Sequence, residues 1–454
     1  MNVHFIAIGG SAMHNLAIAL KKKGINVTGS DDEIFEPAKS RLQKYGLLPS
    51  QEGWYPNKIT KEIDAIILGM HARADNPELL RAQEQGIKVF SYPEFLYEQA
   101  RDKQRIVIGG SHGKTTITAM ILHVLKSVGR ECDYMVGAQL EGFEVMVKLT
   151  ESAPIMVFEG DEYLTSPIDR RPKFHLYMPD IALISGIAWD HMNVFPTFEN
   201  YCDQFRIFAS LISKNGKLIY CLEDEIVADA VQSADPSVDL IGYGLPEYSI
   251  IDGTTFLYTP DGYIPLKVFG HHNLLNLSGA LEVCRQLNIS DTDFFKFIGS
   301  FNGASNRLES IGKNAHTHIF RDFAHSPSKL QATTKAVKEQ YPNNFLVACM
   351  ELHTYSSLNQ EFLEQYKGTM DAADLPIVYF NPHALIIKKL PPLDPEQVKK
   401  AIGRPDILIF TDSGLLSDFL LHFGWKNKNL LMMSSGDFGG MDVKAFATQL
   451  LVVT

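Results

Sequence analysis

Cysteine is scarce, five in 454 residues, at positions 132, 202, 221, 284 and 349 with no CxxC pair. That excludes a disulfide framework and a thiolate zinc site. Positive charge is short as well: 42 Lys and Arg against 53 Asp and Glu give a formal net charge of −11. Bulk nucleic-acid binding is therefore excluded, and any polyanion must be held by a local site. No apolar run approaches the roughly eighteen residues that a membrane-spanning helix needs. The opening MNVHFIAIGG lacks the basic start and small-residue cleavage site of a signal peptide. These absences predict a soluble cytoplasmic chain with neither nucleic acid nor membrane as partner; a monomer or weak homo-oligomer is a separate expectation. What is present, 45% hydrophobic and 21% charged residues, is ordinary globular composition. At roughly 150 residues per domain, the length suggests about three domains.

Apolar runs and glycines organise the chain. Val3 to Ile8 reads as a strand ending in Gly9-Gly10, and Ala12 to Leu20 as a helix closed by three lysines and Gly24. Ile25 to Thr28 and Ile63 to Leu68 read as further strands, so residues 1–103 form a nucleotide-type α/β domain. A second start follows: a strand at Arg105 to Ile108, then GGSHGKTT, then a helix over Ile117 to Val128. Strands are expected at Ile155 to Phe158, Ile181 to Ile184, Leu218 to Tyr220 and Leu240 to Tyr243, and a helix at Leu274 to Leu287. Beyond residue 303 the alternation resumes. Strands are expected at His318 to Phe323, Phe345 to Cys349, Ile377 to Phe380, Ile407 to Phe410 and Leu430 to Met433, with helices at Ser328 to Glu339 and Asp442 to Leu451. Three α/β domains in series are the reading, 1–103, 104–303 and 304–454.

The strongest local signal is Gly110-Ser111-His112-Gly113-Lys114-Thr115-Thr116 between a strand and a helix. Phosphate oxygens need closely spaced backbone N–H donors, and glycine lets the chain curl around them. Lys114 supplies a point charge for the β- and γ-phosphates, and Thr115 a hydroxyl for Mg²⁺. Ile108 stands where the full GxxxxGK[ST] spacing has its first glycine, and the bland alternative is a glycine turn capping a helix. In the first domain, Gly9, Gly10 and Ser11 offer amides suited to a diphosphate, with Asp31 about where a ribose-binding acid belongs. A tight strand-to-helix turn explains the same residues.

Three carboxylates, Glu159, Asp161 and Glu162, follow an apolar run at the edge of the sheet where ligands bind. With a phosphate loop upstream, a carboxylate there suits Mg²⁺, which takes oxygen ligands. Asp190-His191 follows another strand. His272, Asn273 and Asn276 could read an adenine edge or cap a helix start. Arg307 could reach a transferring phosphoryl group or pair with Glu309 on the surface. Asp322 and His325 stand at the ligand edge of the third sheet.

In this order, the segments Ile8 to Met13, Gly110 to Thr116, Glu159 to Phe174, Asp190 to Met192, His272 to Asn276 and Arg307 to Pro327 resemble the Mur ligases, ATP-dependent amide-forming enzymes of peptidoglycan biosynthesis. The resemblance implies a Rossmann-like first domain for a UDP-sugar, a central P-loop ATPase-like domain and a Rossmann-like third domain that closes on the nucleotide. The family's diphosphate loop GIGGSGM reads AIGGSAM here, with Ala7 and Ala12 for two glycines, and its GT(H/N)GKT reads GSHGKT. The resemblance implies Gly9, Gly10, Ser11, Met13 and Asp31 at the UDP-sugar. It implies the 110–116 loop with Lys114 on the ATP phosphates, and Thr115, Glu159 and His191 around Mg²⁺. It further implies His272, Asn273 and Asn276 near the adenine, and Arg307, Asp322 and His325 at the nucleotide. Arg206 stands where some members carry a carbamylated lysine.

The block from Glu159 to Phe174 is similar to EADEYDTAFFDKRSKF of the murein-recycling branch, which joins UDP-N-acetylmuramate to L-alanyl-γ-D-glutamyl-meso-diaminopimelate. Glu351-Leu352-His353-Thr354-Tyr355 looks closer to PHRYTR of the alanine-adding branch than to the recycling EPRSNTM. The expectation is the tripeptide ligase, with the L-alanine ligase as alternative. The carboxylate attacks the γ-phosphate of ATP, and the amine of L-Ala then attacks the acyl phosphate. Lys114 and Arg307 would stabilise charge, and His191 and His325 are candidate bases. Two rivals remain open at this point. An NAD-dependent oxidoreductase explains only Ala7 to Asp31, and a non-catalytic nucleotide sensor leaves the lysine and carboxylate set without work.

Overall fold

The computed structural model describes residues 1–140 and 142–452. Four sheets form among them. The first contains β1 (Asn2–Ile6), β2 (Asn26–Ser30), β3 (Ala65–Leu68) and β4 (Val89–Ser91), all parallel, in the order β2-β1-β3-β4. Its strands are short and apolar, and Phe5, Ile6, Ile66 and Ile67 are fully buried. Buried on both faces, such runs suit a parallel sheet covered by helices.

The second sheet has seven strands: β5 (Gln104–Gly109), β6 (Asp133–Met135), β7 (Val147–Lys148), β8 (Ile155–Glu159), β9 (Ile181–Ile184), β10 (Lys217–Cys221) and β11 (Asp239–Tyr243). The order is β11-β10-β9-β5-β8-β6-β7, parallel except for β7. β5 lies between β8 and β9, so their C-terminal ends carry the 110–116 loop, the acidic run from Glu159 and Ser185-Gly186 side by side.

A third, antiparallel sheet, β12 (Tyr248–Ile251), β13 (Thr254–Thr259) and β14 (Gly262–Leu266), was not expected from the sequence. The fourth has six strands, β15 (Glu309–Lys313), β16 (Thr317–Asp322), β17 (Phe345–Leu352), β18 (Leu375–Phe380), β19 (Leu408–Phe410) and β20 (Lys428–Met433), in the order β15-β16-β20-β17-β18-β19. Only β15 is antiparallel.

By contacts the chain gathers into two compact units. One comprises Met1–Ile187, Phe198–Gly244 and Gly279–Ser290, and the other Ala188–Thr197, Leu245–Ser278 and Asp291–Thr454. The expected strands lie within a few residues of those observed. Two helix starts show what sets such offsets. The helix expected from Ile117 begins at Lys114, because Gly113 takes φ 80° and turns the chain directly into it. The helix expected from Asp442 begins at Val443: Asp442 stays outside and accepts the Lys444 and Ala445 amides at 3.1 and 3.0 Å. No helix among the described residues is long and apolar enough to cross a membrane.

Candidate active site

In the first unit, β5 runs into Gly110, whose φ of +133° and close approach to Ser185 leave no room for a side chain; a Cβ there would lie 2.1 Å from Ser185 Oγ. Ser185 Oγ donates to the His112 carbonyl, and the Ser111 amide to the Gly186 carbonyl at 2.9 Å. The loop is thus pinned to the end of β9, ahead of the helix Lys114–Ser127. Thr116 is buried in that helix's first turn. Lys114 Nζ donates to the Gly110 carbonyl at 2.5 Å and to Glu162 Oε2 at 2.6 Å. Tyr201 donates to the other Glu162 oxygen at 3.1 Å and lies 2.8 Å from Ser111 Oγ. Burial works against the ammonium charge, but the Glu162, Asp161 and Glu159 carboxylates outweigh it and hold the Lys114 pKa above its usual value.

Thr115 Oγ1 donates to Glu159 Oε1 at 2.7 Å, and the Gly137 amide to Oε2 at 2.7 Å. Gly137 is there because a Cβ would sit 2.7 Å from Glu159 Oε1. No three His, Cys, Asp or Glu side chains among the described residues form a metal site by themselves. A hydroxyl and a carboxylate are nonetheless the hard oxygen donors that Mg²⁺ takes alongside phosphate oxygens.

The first-domain loop is shaped differently from the expectation for Asp31. Its Oδ2 accepts the Gly9 amide at 2.6 Å, and a Cβ on Gly9 would lie 2.9 Å from that oxygen. Asp31 therefore fastens the loop. Burial, ahead of its neighbour Asp32, pushes its pKa up to about 6. Ala7, where the related loop has glycine, takes φ +69°. Gly10 opens the helix Ser11–Lys22 with no side-chain cap, and Met13 is buried in its first turn. Ser11 and Ala12 line a cavity of about 310 Å³ shared with Lys114, Glu159, Lys173 and Tyr177.

The second unit assembles another group. His191 has φ +56° and its amide donates to Asp190 Oδ1 at 2.8 Å. Lys329 Nζ lies 3.3 Å and His325 Nε2 3.8 Å from Asp190 Oδ2. Burial opposes ionisation of Asp190, yet Lys329 and His325 hold its carboxyl well below the usual range. Burial and then Lys329 lower the pKa of His325. Asp322 accepts the Leu308 and Ala324 amides at 2.5 and 2.6 Å, and burial raises its pKa. The Arg307 guanidinium lies 4.6 Å from the Phe323 ring centre, while Glu309 pairs with Lys444 at 2.7 Å. Asn273 Nδ2 donates to the Phe269 carbonyl at 3.0 Å and Asn276 Nδ2 to Asn273 Oδ1 at 3.5 Å, beside His272 in the first turns of the helix His271–Gln286.

Glu162, one of the three carboxylates expected near Mg²⁺, pairs with Lys114, and Asp190, to which the sequence assigned no role, pairs with Lys329. Sequence reasoning missed Tyr177, which reads as core in its context. Glu351, buried at the end of β17, accepts from Ser434 Oγ and from the Phe438 amide at 2.9 Å, with His353 Nδ1 at 3.6 Å. Arg206 pairs with Glu199, Asp203 and Asp229 at 2.5, 2.8 and 2.8 Å.

Two family models match the chain, Mur ligase family, catalytic domain, over residues 2–104, and Mur ligase middle domain, over residues 108–284. A UDP-N-acetylmuramate–L-alanine ligase of Clostridium tetani is 30% identical over 388 residues, covering 81% of each chain. Among solved structures, a UDP-N-acetylmuramate–alanine ligase of Thermotoga maritima is similar with a TM-score of 0.71 at 19% identity, covering 100% of this chain and 98% of that one. A murein peptide ligase of Psychrobacter arcticus 273-4 is similar with a TM-score of 0.66 at 21% identity and the same coverage.

Proposed function

The chain belongs to the Mur ligase family, and from that premise we propose an ATP-dependent ligase that forms a carbon–nitrogen bond between UDP-N-acetylmuramate and an amine donor bearing L-alanine. The observation that carries the reading is the cavity in which Ser11 and Ala12, the first residues of the helix Ser11–Lys22, face Lys114 and Glu159. The start of the first helix, proposed to hold the diphosphate, thereby lies beside the loop proposed to hold ATP, an arrangement that supports phosphoryl transfer between two bound substrates. The partition 1–103, 104–303 and 304–454 follows the same logic, and the family matches to 2–104 and 108–284 support its first two parts. Because ATP is the phosphoryl donor, the proposed setting is the cytoplasm.

The chemistry runs in two steps. A carboxylate oxygen of the muramyl group attacks the γ-phosphorus, and ADP leaves. The donor amine, neutral in part at pH 7 when it is a peptide N-terminus with a pKa of about 8 and to a smaller extent when it is free alanine, then attacks the acyl carbon. Phosphate leaves, and the amine gives up one proton. Lys114 neutralises charge on the transferring group, and Gly110 to Thr116 cradle the phosphates. Thr115 and Glu159 would hold Mg²⁺, which when bound neutralises phosphate charge. His191 or His325 is proposed to take the amine proton, Arg307 and Asp322 to contact the nucleotide, and His272, Asn273 and Asn276 its adenine. Gly9, Gly10, Ser11 and Met13 are proposed for the sugar nucleotide, with Asp31 shaping their loop.

Free L-alanine is the donor that the curated relative supports. The tripeptide L-alanyl-γ-D-glutamyl-meso-diaminopimelate is the second reading, favoured by the resemblance of the block Glu159 to Phe174 to the recycling branch; Lys173 on Asp161 at 2.5 Å and Arg171 on Asp169 at 2.6 Å order that block. An ADP-release assay with UDP-N-acetylmuramate and either donor separates them. Turnover with alanine alone supports the first reading and turnover with tripeptide alone the second. No ADP with either rejects the function.

A further inference from the structure

Among the polar groups of the cavity beside Lys114 that the reading above leaves unused, Tyr177 is the one whose buried hydroxyl has no partner among the described residues. The whole side chain is buried. Buried hydroxyls are nearly always paired, because stripping one of water without replacement is unfavourable. Its ring is held firmly, stacked on Phe158 with centroids 4.2 Å apart and planes 10° from parallel. It follows the turn Lys173–Leu176, so backbone and stack fix its direction together. Burial first, and then Tyr92, Asp161 and Glu159, hold the phenol pKa well above its usual value, so the group is a donor at neutral pH. All three of those neighbours line the same cavity.

The acceptor follows from what else faces this space. At one end Lys114 and the phosphate loop already supply donors for phosphate oxygens. At the other stand Ser11 and Ala12. Lys173 is engaged by Asp161 at 2.5 Å. Glu159 accepts from Thr115 and Gly137 and offers no donor there. A carboxylate entering between the two loops would be desolvated among anions, and one of its oxygens must stay free to attack phosphorus. The other needs a donor, and a fixed phenol supplies one without a competing carboxylate partner.

We infer that the Tyr177 hydroxyl donates a hydrogen bond to the non-attacking carboxylate oxygen of the muramyl substrate and remains on that oxygen when amine attack turns the acyl carbonyl into an oxyanion. Tyr177 makes and breaks no covalent bond and transfers no proton; it orients the acid and then stabilises charge. The assignment rests on the ligase reading.

Tyr177→Phe keeps the stacked ring and removes only the oxygen. In the full-length enzyme, kcat/KM for UDP-N-acetylmuramate should fall by about 10- to 100-fold, as expected for one hydrogen bond to a charged acceptor. The KM for ATP should not move. The melting temperature should hold or rise, since no partner is lost. UDP-N-acetylglucosamine, the same sugar nucleotide without the acid, should bind both proteins equally. Unchanged kcat/KM in the variant overturns the assignment. So does a selective loss of ATP affinity, which would make the phenol a phosphate contact, or a drop in melting temperature with equal weakening of both sugar nucleotides, which would make it structural. A wild type that releases no ADP with either amine donor overturns the ligase reading and this one with it, so the two failures are told apart by the parent enzyme.

Discussion

Lys114 and Glu162 form a nearly buried ion pair, 2.6 Å between Nζ and Oε2, and Tyr201 ties the other Glu162 oxygen to Ser111 of the same loop. The lysine is thus oriented by its partner as well as by its own helix. Lys114→Ala should cut ADP release by about a hundredfold or more, the scale of losing one charged donor at a developing charge. Calorimetric titration with UDP-N-acetylmuramate should remain near the wild-type value, because that ligand is proposed to sit on the first-domain loop. Loss of both together would argue against separate sites. Glu162→Gln, which keeps the shape and removes the charge, should show a smaller fall.

Gly137 presses its backbone on the Glu159 carboxylate, and a methyl group there would come within 2.7 Å of it. Gly137→Ala should displace Glu159 and raise the Mg²⁺ concentration needed for half-maximal ADP release by about tenfold, the usual effect of disturbing a group that orients a metal ligand. An unchanged Mg²⁺ titration would remove Glu159 from the metal site.

Asp31 predicts a pH effect on stability. Its folded pKa of about 6 lies above the ordinary carboxylate value. A raised pKa means that the protonated form fits the fold better, so this contribution is full below pH 4 and is lost as pH rises through 6. Against Asp31→Asn, which cannot ionise, the wild type should lose relative stability between pH 4 and 7. Thermal melts of both proteins across that range check it; parallel curves would contradict the buried position of the carboxyl.

Glu351 fastens the segment Ser434–Gly440, in which Phe438 has φ +52° and Gly439 and Gly440 have φ +74° and +92°. Without the carboxylate, the Phe438 amide and the Ser434 hydroxyl lose a charged acceptor. Glu351→Ala should cost about 2 kcal/mol of stability. Hydrogen exchange at 434–440 should accelerate more than at β16, and uniform acceleration would mean that the residue supports the whole sheet instead.

The parallel strands were legible because each is a short apolar run buried on both faces, and the phosphate loop because glycines and a lysine are spaced between such a run and a helix. β12 to β14 escaped notice because their residues are mostly half-buried or exposed and carry no apolar run. Their turns did leave a signal: Asp252-Gly253, with φ of +50° and +73°, is the aspartate–glycine pair that two-residue hairpins favour. Asp31 was read as a ribose ligand because its distance along the chain fits that role; only coordinates reveal its hydrogen bond to Gly9. Tyr177 could not be singled out, since a phenol among Leu176 and Met178 differs in no way from a core residue until its hydroxyl is seen without a partner.

Arg206 carries a last consequence. Three carboxylates engage its guanidinium, and the family resemblance sets it where some members carry a carbamylated lysine. A guanidinium does not capture carbon dioxide. Turnover should therefore be indifferent to dissolved bicarbonate, running at the same rate in degassed buffer as in air.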